Sequence, residues 1–151
     1  MTKLILVRGI SGSGKTTLAK KIVDSDTSGN TIMVAADDFF ETDAGYKFSF
    51  ALIKLAHAYC QGQAFFHLIR GKNVVVHNTF TQKWEIMPYI EAAIAAGIEW
   101  EIVEPKTKWR RDPSVCAEKN THNVPEASIQ RMKDRWETTE SILAFVEKGN
   151  F

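Results

Sequence analysis

Four short apolar runs, separated by longer segments with helical periodicity, form the main pattern of the chain. The runs are residues 4–7, 31–35, 74–76 and 98–103. The first three are continuous rather than alternating, which is typical of strands buried on both faces of a sheet. Strands that alternate with helical segments indicate βαβ units. The pattern therefore predicts an α/β fold with a parallel sheet of about four strands and helices on both faces.

Two amphipathic helices are predicted early in the chain, the first over residues 17–23. The second is predicted over residues 49–70, ahead of Gly71, which is placed as a helix stop signal. Large apolar side chains recur on one face of this segment: Phe48, Leu52, Leu55, Tyr59, Phe66 and Ile69. Such a face usually packs on the rest of the protein, so we expect the aromatic residues of this helix in the core.

Later helices carry their own start and stop signals. A third helix is predicted to end at Ala96, before Gly97, and Pro88 must either kink it or open it. Asn123 and Glu126, three residues apart, have the spacing of a capping box at the start of another helix. Apolar positions continue from there on one face: Ile129, Met132, Trp136, Leu143 and Val146.

Residues 9–16 read GISGSGKT and follow directly on the first apolar run. They match the phosphate-loop pattern GxxxxGK[ST] in its required order of strand, glycine-rich turn and helix. In such a loop backbone N–H groups wrap the phosphates, Lys15 neutralises the β and γ phosphates, and the Thr16 hydroxyl ligates Mg²⁺. The motif predicts a nucleoside triphosphate site formed by Gly9, Ser11, Gly12, Ser13, Gly14, Lys15, Thr16 and Thr17.

Two carboxylates, Asp37 and Asp38, directly follow the second apolar run. In α/β folds, ligands bind at the edge where the parallel strands end. We expect a carboxylate of this pair to take the proton of an attacking hydroxyl or to order a metal-bound water, and Asp37 or Asp38 to help Thr16 hold Mg²⁺. A helix cap or a turn is the structural alternative for this pair.

His77 and Asn78 follow the third apolar run. In phosphate-loop enzymes a strand of this kind usually ends in an Asp that helps to hold Mg²⁺. Neutral imidazole is a poor ligand for this hard cation, so His77 is not expected to replace that Asp as a metal ligand. We predict instead that His77 and Asn78 contact the acceptor, and a structural role is the alternative for His77.

A polar stretch at residues 104–113 contains a cluster of cations: Lys106, Lys108, Arg110 and Arg111. We predict a basic, mobile lid made of this stretch and a following short helix; a solvated loop is the alternative. Charge builds up on a transferring phosphoryl group, so Lys119 and Arg110 are candidate catalytic cations and Arg111 a candidate substrate contact. Trp109 either packs in the lid or stacks on a base.

Composition adds limits rather than chemistry. A chain of 151 residues with 44% hydrophobic and 25% charged residues is expected to form one domain over residues 1–151. The net charge of +1 argues against binding along nucleic acid through overall charge. Cys60 and Cys116 have no metal-ligand spacing and are expected to be free thiols. No run is long enough to span a membrane, so we expect a cytoplasmic protein.

Several segments in order carry a family resemblance: GISGSGKTT, AADDFF, the stretch from Tyr46 through His57 to Cys60, VVVHNT, KNTHNVP and IQRM. Together they resemble the small phosphate-loop kinases related to the 5′-kinase domain of phage polynucleotide kinase and to the NEDD4-binding-protein kinase domains. The resemblance covers most of the chain. It implies ATP- and Mg²⁺-dependent transfer of the γ-phosphoryl group to a hydroxyl, usually a 5′-OH of DNA or RNA, with Asp37 as general base.

The chain also departs from this family at three positions. His77 stands in place of an Asp, Phe40 stands where polynucleotide kinases tend to have an Arg, and Lys119 stands in place of another Arg. Lys lacks the bidentate fork of Arg, which implies a weaker lid contact. Transfer to a hydroxymethylated base or a small nucleotide, or a switch that phosphorylates nothing, are therefore alternatives to a polynucleotide 5′-OH kinase.

Overall fold

A four-stranded parallel sheet forms the centre of the protein in a computed structural model that describes residues 2–149. The strands are β1 (Lys3–Arg8), β2 (Thr31–Val34), β3 (Glu41–Thr42), β4 (Gly45–Tyr46), β5 (Asn73–Asn78) and β6 (Glu99–Val103). The helices are α1 (Lys15–Ser25), α2 (Ile53–Leu68), α3 (Lys83–Ala95), α4 (Pro113–Lys119), α5 (Glu126–Asp134) and α6 (Thr139–Glu147). Two 3₁₀ turns, Ala36–Phe40 and Phe50–Leu52, complete the described elements.

The strand order in the main sheet is β2-β5-β1-β6, and each neighbouring pair is parallel. In the centre, Leu6 lies opposite Val76 of β5 and Ile102 of β6. β3 and β4 form a separate antiparallel hairpin. Because β1, β2 and β5 all run in one direction, their carboxyl ends bring the glycine-rich loop, the aspartate pair and His77 to one edge of the sheet.

Helices cover both faces of the sheet, which confirms the predicted α/β architecture. On one face, Val7 and Val75 pack against Ala19 of α1. On the other, a larger cluster joins the strands to α2, α3 and α6. Its buried members include Leu4, Leu6, Val74, Val76, Cys60, Ala64, Ile86, Tyr89 and Ile142. Alternate residues of each strand serve the two faces, because successive side chains of a strand point to opposite sides.

The predicted packing of α2 is wrong. The helix begins at Ile53 and ends at Leu68, inside the expected bounds. Its buried side is narrow and consists of Ala56, Cys60, Ala64 and Leu68. Tyr59 and Phe66 are exposed rather than in the core. Both sets recur with helical spacing, so periodicity does not separate them. The small residues allow the helix axis to lie close to the sheet, and the larger side chains are left on the outer side.

Pro88 lies inside α3, which begins at Lys83, so Pro88 does not open this helix. The start is set by Glu85, whose Oε2 accepts hydrogen bonds from the backbone N–H of Gln82 and the hydroxyl of Thr81. Proline lacks the N–H that would bond the carbonyl four residues earlier. That carbonyl belongs to Trp84 in the first turn, which is exposed, so water can replace the lost bond.

The predicted capping box at Asn123 is also wrong. Asn123 has a φ of +55°, and α5 begins after Pro125, at Glu126. The apolar pattern beyond it covers two helices rather than one, because Trp136 lies between α5 and α6 and the Thr138 side chain accepts a hydrogen bond from Ser141 to start α6. A turn thus redirects the chain without interrupting the apolar periodicity.

Cys60 and Cys116 are free thiols, as predicted, and both are buried. Burial raises the pKa of both thiols, which keeps them protonated at neutral pH. Within residues 2–149, no helix combines the length and the apolar character needed to cross a membrane.

Candidate functional site

The glycine-rich loop links β1 to α1 and fits tightly under α4. Gly14 ends the loop with a φ of +108°, and α1 begins at Lys15. Gly12 has a φ of +81°, and a Cβ atom there would overlap the carbonyl group of Cys116 in α4. The loop therefore requires glycine at residue 12 both for its backbone conformation and for the close approach of α4.

The predicted lid stretch holds the loop directly. The Thr107 hydroxyl donates to the carbonyl of Ser13 at 2.8 Å, and the Trp109 indole donates to the carbonyl of Gly12 at 3.1 Å. Trp109 also packs in an apolar cluster around Ile10, Cys116 and Ile129. Trp109 therefore packs in the protein, as one of the two predicted alternatives had it. The stretch supports the loop through these two hydrogen bonds.

Lys15 lies inside the loop, half-buried, with its Nζ donating to the carbonyl of Ile10 at 3.1 Å. Burial lowers the pKa of Lys15 to about 8, although the charge of Asp37 acts in the opposite direction. The ammonium is thus poorly solvated, and an anion in the loop would stabilise its charged form. Thr16 and Thr17, the first residues of α1 after it, are exposed.

A cavity of about 220 Å³ opens beside the loop. Its lining includes Gly9, Ser13, Arg110, Arg111 and Trp136. Within the described residues, the Ser13 hydroxyl and the Trp136 indole N–H are buried without a hydrogen-bond partner. Buried donors normally have partners, so these two groups and the two guanidinium groups suit a ligand that carries hydrogen-bond acceptors and negative charge.

The three cations predicted to contact the phosphoryl group or the substrate, Arg110, Arg111 and Lys119, differ in their surroundings. Arg110 and Arg111 line the cavity, where Arg110 donates to the carbonyl of Thr107 at 2.9 Å and Arg111 lies 3.9 Å from a carboxylate oxygen of Glu104. Lys119 instead places its Nζ 4.2 Å from the ring centroid of Trp109. The structure therefore brings Arg110 and Arg111, rather than Lys119, to the cavity.

Asp37 lies in the 3₁₀ turn after β2 and is clamped by two aromatic side chains. The Tyr46 hydroxyl donates to its Oδ1 at 3.0 Å, and Nδ1 of His122 lies 3.2 Å from its Oδ2. The two rings stack with their centroids 4.1 Å apart and nearly parallel. About half of the Asp37 side chain is still exposed. Sequence reasoning missed this clamp, because His122 lies 85 residues from Asp37.

Asp38 caps the 3₁₀ turn, which is the structural role predicted as an alternative to metal binding. Its Oδ2 accepts a hydrogen bond from the backbone N–H of Ala35 at 2.9 Å, which starts the 3₁₀ turn. Burial raises the pKa of Asp38, and Asp37 adds to this effect. Phe40 at the end of the turn is buried in an aromatic cluster with Tyr46 and Phe48. Phe40 therefore has a packing role at the position where the resemblance would place an Arg.

His77 lies at the same edge, within electrostatic reach of both Lys15 and Asp37. Burial lowers the pKa of His77 to about 4, and the charge of Lys15 lowers it further, so the imidazole is neutral at neutral pH. Asn78 is buried, and its Oδ1 accepts from the backbone N–H of Ala36 at 2.8 Å. Asn78 thus positions the turn that carries Asp37.

Arg8, the last residue of β1, is a further residue that sequence reasoning missed. It is fully buried and donates to the carbonyls of Phe80 and Glu137 at 2.6 and 2.7 Å and to the Thr139 hydroxyl at 3.0 Å. Its guanidinium also lies 3.9 Å from the ring centroid of Trp136. Directly before the glycine-rich loop, Arg8 ties the loop's first end to the linker between α5 and α6.

The family is established by comparison with known proteins. Residues 4–139 match the AAA_33 family, described as an AAA domain, and the chain belongs to this family. Human NEDD4-binding protein 2 is 31% identical over 144 residues, which are 92% of this chain and 8% of that protein. The chain thus spans only a small part of that relative's length. This finding confirms the resemblance that the sequence motifs indicate.

Two solved structures share the fold. A chain in the structure of the Pnkp1/Rnl/Hen1 RNA repair complex has a TM-score of 0.67 at 18% identity, covering 97% of this chain and 46% of that one. A gluconokinase from Sinorhizobium meliloti 1021 has a TM-score of 0.59 at 19% identity, covering 90% of this chain and 75% of that one. The protein therefore has the fold of phosphate-loop kinases.

Proposed function

We propose that this protein is an ATP- and Mg²⁺-dependent kinase that transfers the γ-phosphoryl group to a hydroxyl of a nucleic acid, with a polynucleotide 5′-OH as the acceptor. The observation that carries the proposal is the placement of the phosphate loop and Asp37 at the same edge of the parallel sheet, where the charge of Asp37 acts on Lys15. In the proposal, the Lys15 ammonium binds the phosphates of the donor and the half-exposed Asp37 carboxylate acts on the acceptor.

The donor side is formed by the loop. Backbone N–H groups at the start of α1 have no partners within the helix and point toward bound phosphates. Lys15 neutralises the β and γ phosphates once it leaves the carbonyl of Ile10. The cavity beside the loop, with the free donors of Ser13 and Trp136, accommodates another part of the nucleotide. Arg110 lies on its wall and stabilises charge on the transferring group.

The acceptor side is formed by Asp37. Its carboxylate takes the proton of the attacking hydroxyl, while the Tyr46 hydroxyl keeps Oδ1 in a fixed direction. General bases of this kind contribute about 10²- to 10⁴-fold to a rate. The membership of a solved relative in an RNA repair complex supports a nucleic-acid acceptor.

The residues present fit Mg²⁺ as phosphate-loop proteins usually hold it. This ion binds through one or two oxygen ligands of the protein together with phosphate oxygens and water. Thr16 and Asp38 would supply such oxygens, and residues 2–149 contain no cluster of three His, Cys, Asp or Glu side chains that would form an independent metal site. When bound, the ion would neutralise charge on the β and γ phosphates.

The proposal is tested by incubating the protein with γ-labelled ATP and separate acceptors. The panel contains 5′-OH oligonucleotides, DNA with hydroxymethylated bases, nucleosides and nucleoside monophosphates. Label on the oligonucleotide 5′ end supports the proposal. Label on another acceptor shows a kinase of different specificity, and label released only as phosphate supports a nucleotide-dependent switch.

Two variants assign the roles. Lys15→Ala should weaken triphosphate binding measured by calorimetry. Asp37→Asn should lower the transfer rate by about 100-fold or more while leaving ATP binding nearly unchanged. Asp43→Asn is the matched control, because Asp43 is an exposed carboxylate in the adjacent hairpin. Equal transfer rates in Asp37→Asn and the parent protein would refute the base assignment.

A further inference from the structure

The outer side of α2 carries several exposed apolar side chains. These are Leu55, Tyr59, Phe66 and Ile69, with Phe48 and Phe50 just before the helix, and their exposed fractions range from 45% for Tyr59 and Phe66 to 79% for Phe50. We call these six residues the α2 stripe. From Leu55 to Ile69 the stripe extends for about 21 Å at 1.5 Å per residue. Large exposed apolar surfaces on a protein often mark an interaction site.

The segment that carries the stripe has charges of one sign. Residues 44–84 contain no Asp or Glu, although the whole chain has 18. The same segment has five cations: Lys47, Lys54, Arg70, Lys72 and Lys83. Lys47, Lys54 and Arg70 are exposed. Carboxylates lie beside this segment at the end near β2, where the 3₁₀ turn with Asp37 and Asp38 and the hairpin with Glu41 and Asp43 precede it. The segment itself contributes only positive charge.

Aromatic rings connect the stripe to Asp37. Phe39, two residues after Asp37, has its ring centroid 5.7 Å from that of Tyr59. On the other side, Phe48 contacts Phe40, whose ring contacts Tyr46, the hydrogen-bond partner of Asp37. A molecule lying along the stripe would therefore lead directly to the proposed general base.

We propose that the α2 stripe binds single-stranded nucleic acid, with unpaired bases stacked on Tyr59, Phe66 and the rings before α2 and with phosphates held by Lys54 and Arg70. This inference rests on the proposed kinase function and assigns a surface to its acceptor. Exposed aromatic rings beside cations are the usual means of binding single strands without sequence preference. The Arg70 guanidinium lies 4.3 Å from the ring centroid of Phe66, so a phosphate held by Arg70 would lie beside this ring.

A protein partner is the competing occupant and fits less well. Cores of protein interfaces are depleted in Lys, whereas exposed Lys47 and Lys54 lie next to stripe residues in the chain. Duplex nucleic acid fits less well for a different reason, since its bases are already stacked within the helix and cannot lie on side chains.

The test measures binding directly, without ATP. Fluorescence anisotropy with labelled single-stranded oligonucleotides is compared for the parent protein and for Tyr59→Ala and Phe66→Ala. Each variant should weaken binding by about 5- to 150-fold, which is the effect of losing one stacked base. Tyr59→Leu keeps apolar surface without a π-face, so it should behave like Tyr59→Ala. Trp84→Ala, which removes an exposed aromatic ring of α3, is the matched control and should bind like the parent.

Charge is tested by the salt dependence. Lys54→Ala should reduce the slope of log affinity against log salt by about one, because one phosphate contact is lost. Lys148→Ala, an exposed lysine of the C-terminal segment, should leave the slope unchanged. Equal affinities of the parent and both aromatic variants would overturn the inference. It would also be overturned by preferential binding of duplex, or by a self-association that the stripe variants abolish.

The two proposals fail in distinguishable ways. If the stripe variants lose oligonucleotide binding but no acceptor is phosphorylated, the binding surface stands and the kinase proposal falls. If oligonucleotides are phosphorylated with a KM that the stripe variants do not change, the kinase stands and this surface is wrong.

Discussion

The glycine-rich loop and the segment that carries Asp37 face the same edge of the sheet but are held in opposite ways. The loop is fixed through its backbone: Thr107 and Trp109 bond its carbonyl groups, and α4 leaves no room for a side chain at Gly12. Asp37 is held through its side chain by two rings that are themselves near the surface. The comparison shows a loop fixed by buried backbone contacts beside a carboxylate held by side chains near the surface.

This difference has a physical cause. In the proposed kinase, a triphosphate would offer the same oxygens in every cycle, so a fixed set of donors would bind it with little reorganisation. The acceptor would enter and leave beside Asp37, and exposed side-chain hydrogen bonds, each worth about 1 kcal/mol, can be exchanged at small cost. Substitutions in the loop should therefore affect stability and binding together, and those around Asp37 should affect activity alone.

The largest effect is expected for Gly12→Ala. The added Cβ would overlap the Cys116 carbonyl and would sit on a backbone with a φ of +81°. We expect a loss of about 3–5 kcal/mol in the free energy of unfolding and loss of triphosphate binding. Denaturant unfolding and calorimetry measure the two effects.

Gly29→Ala is the control for this variant. Gly29 has a φ of +72° but no atom within 4 Å of the added Cβ, so it reports the conformational cost alone. We expect about 1 kcal/mol. Equal losses for the two variants would show that α4 does not press on the loop.

The next effect concerns pH and His77, which lies between the two regions. Its pKa is about 4 in the folded protein against 6.5 for the free side chain, so the unfolded chain binds a proton in this window that the folded protein does not. Stability should be highest above pH 6.5, fall by about 2–3 kcal/mol as the pH drops to 4, and level off below it.

His77→Gln removes this titrating group. The free energy of unfolding should then fall less steeply with decreasing pH, by the contribution of up to one bound proton. Thermal unfolding from pH 7 to pH 4 measures the difference between the two proteins. Identical slopes would show that His77 is as well solvated in the folded protein as in the unfolded chain.

A smaller effect is expected for Trp109→Phe. This change keeps most of the apolar contact in the cluster around Ile10 but removes the hydrogen bond to the carbonyl of Gly12. The loss should be about 1 kcal/mol, with a modest weakening of triphosphate binding. Chemical unfolding and calorimetry on the same samples test whether the two losses occur together.

The smallest effect on stability is expected for Tyr46→Phe. The ring remains stacked on His122, and only the hydroxyl that bonds Asp37 is lost. Unfolding should change by about 0.5 kcal/mol or less, whereas kcat should fall several-fold because the base is less well oriented. A large loss of stability with normal kcat would reverse the distinction between the two regions.

Much of the fold followed from local patterns. The parallel sheet, the helices on its two faces and the position of the loop all rest on runs and motifs within about 20 residues. The face that α2 buries did not follow, because Ala56, Cys60 and Ala64 have the same periodicity as the larger exposed side chains. Hydrophobicity alone favours burial of the larger side chains, whereas the space between α2 and the sheet admits only the smaller ones.

By itself, the sequence determined the phosphate loop, because glycines, Lys15 and the following helix specify that conformation through near neighbours. Only the tertiary structure decided what surrounds the loop. His122 reaches Asp37 across 85 residues, and Arg8 reaches Thr139 across 131. Contacts of this kind depend on how helices pack and where the chain turns back, and a local pattern contains no record of either.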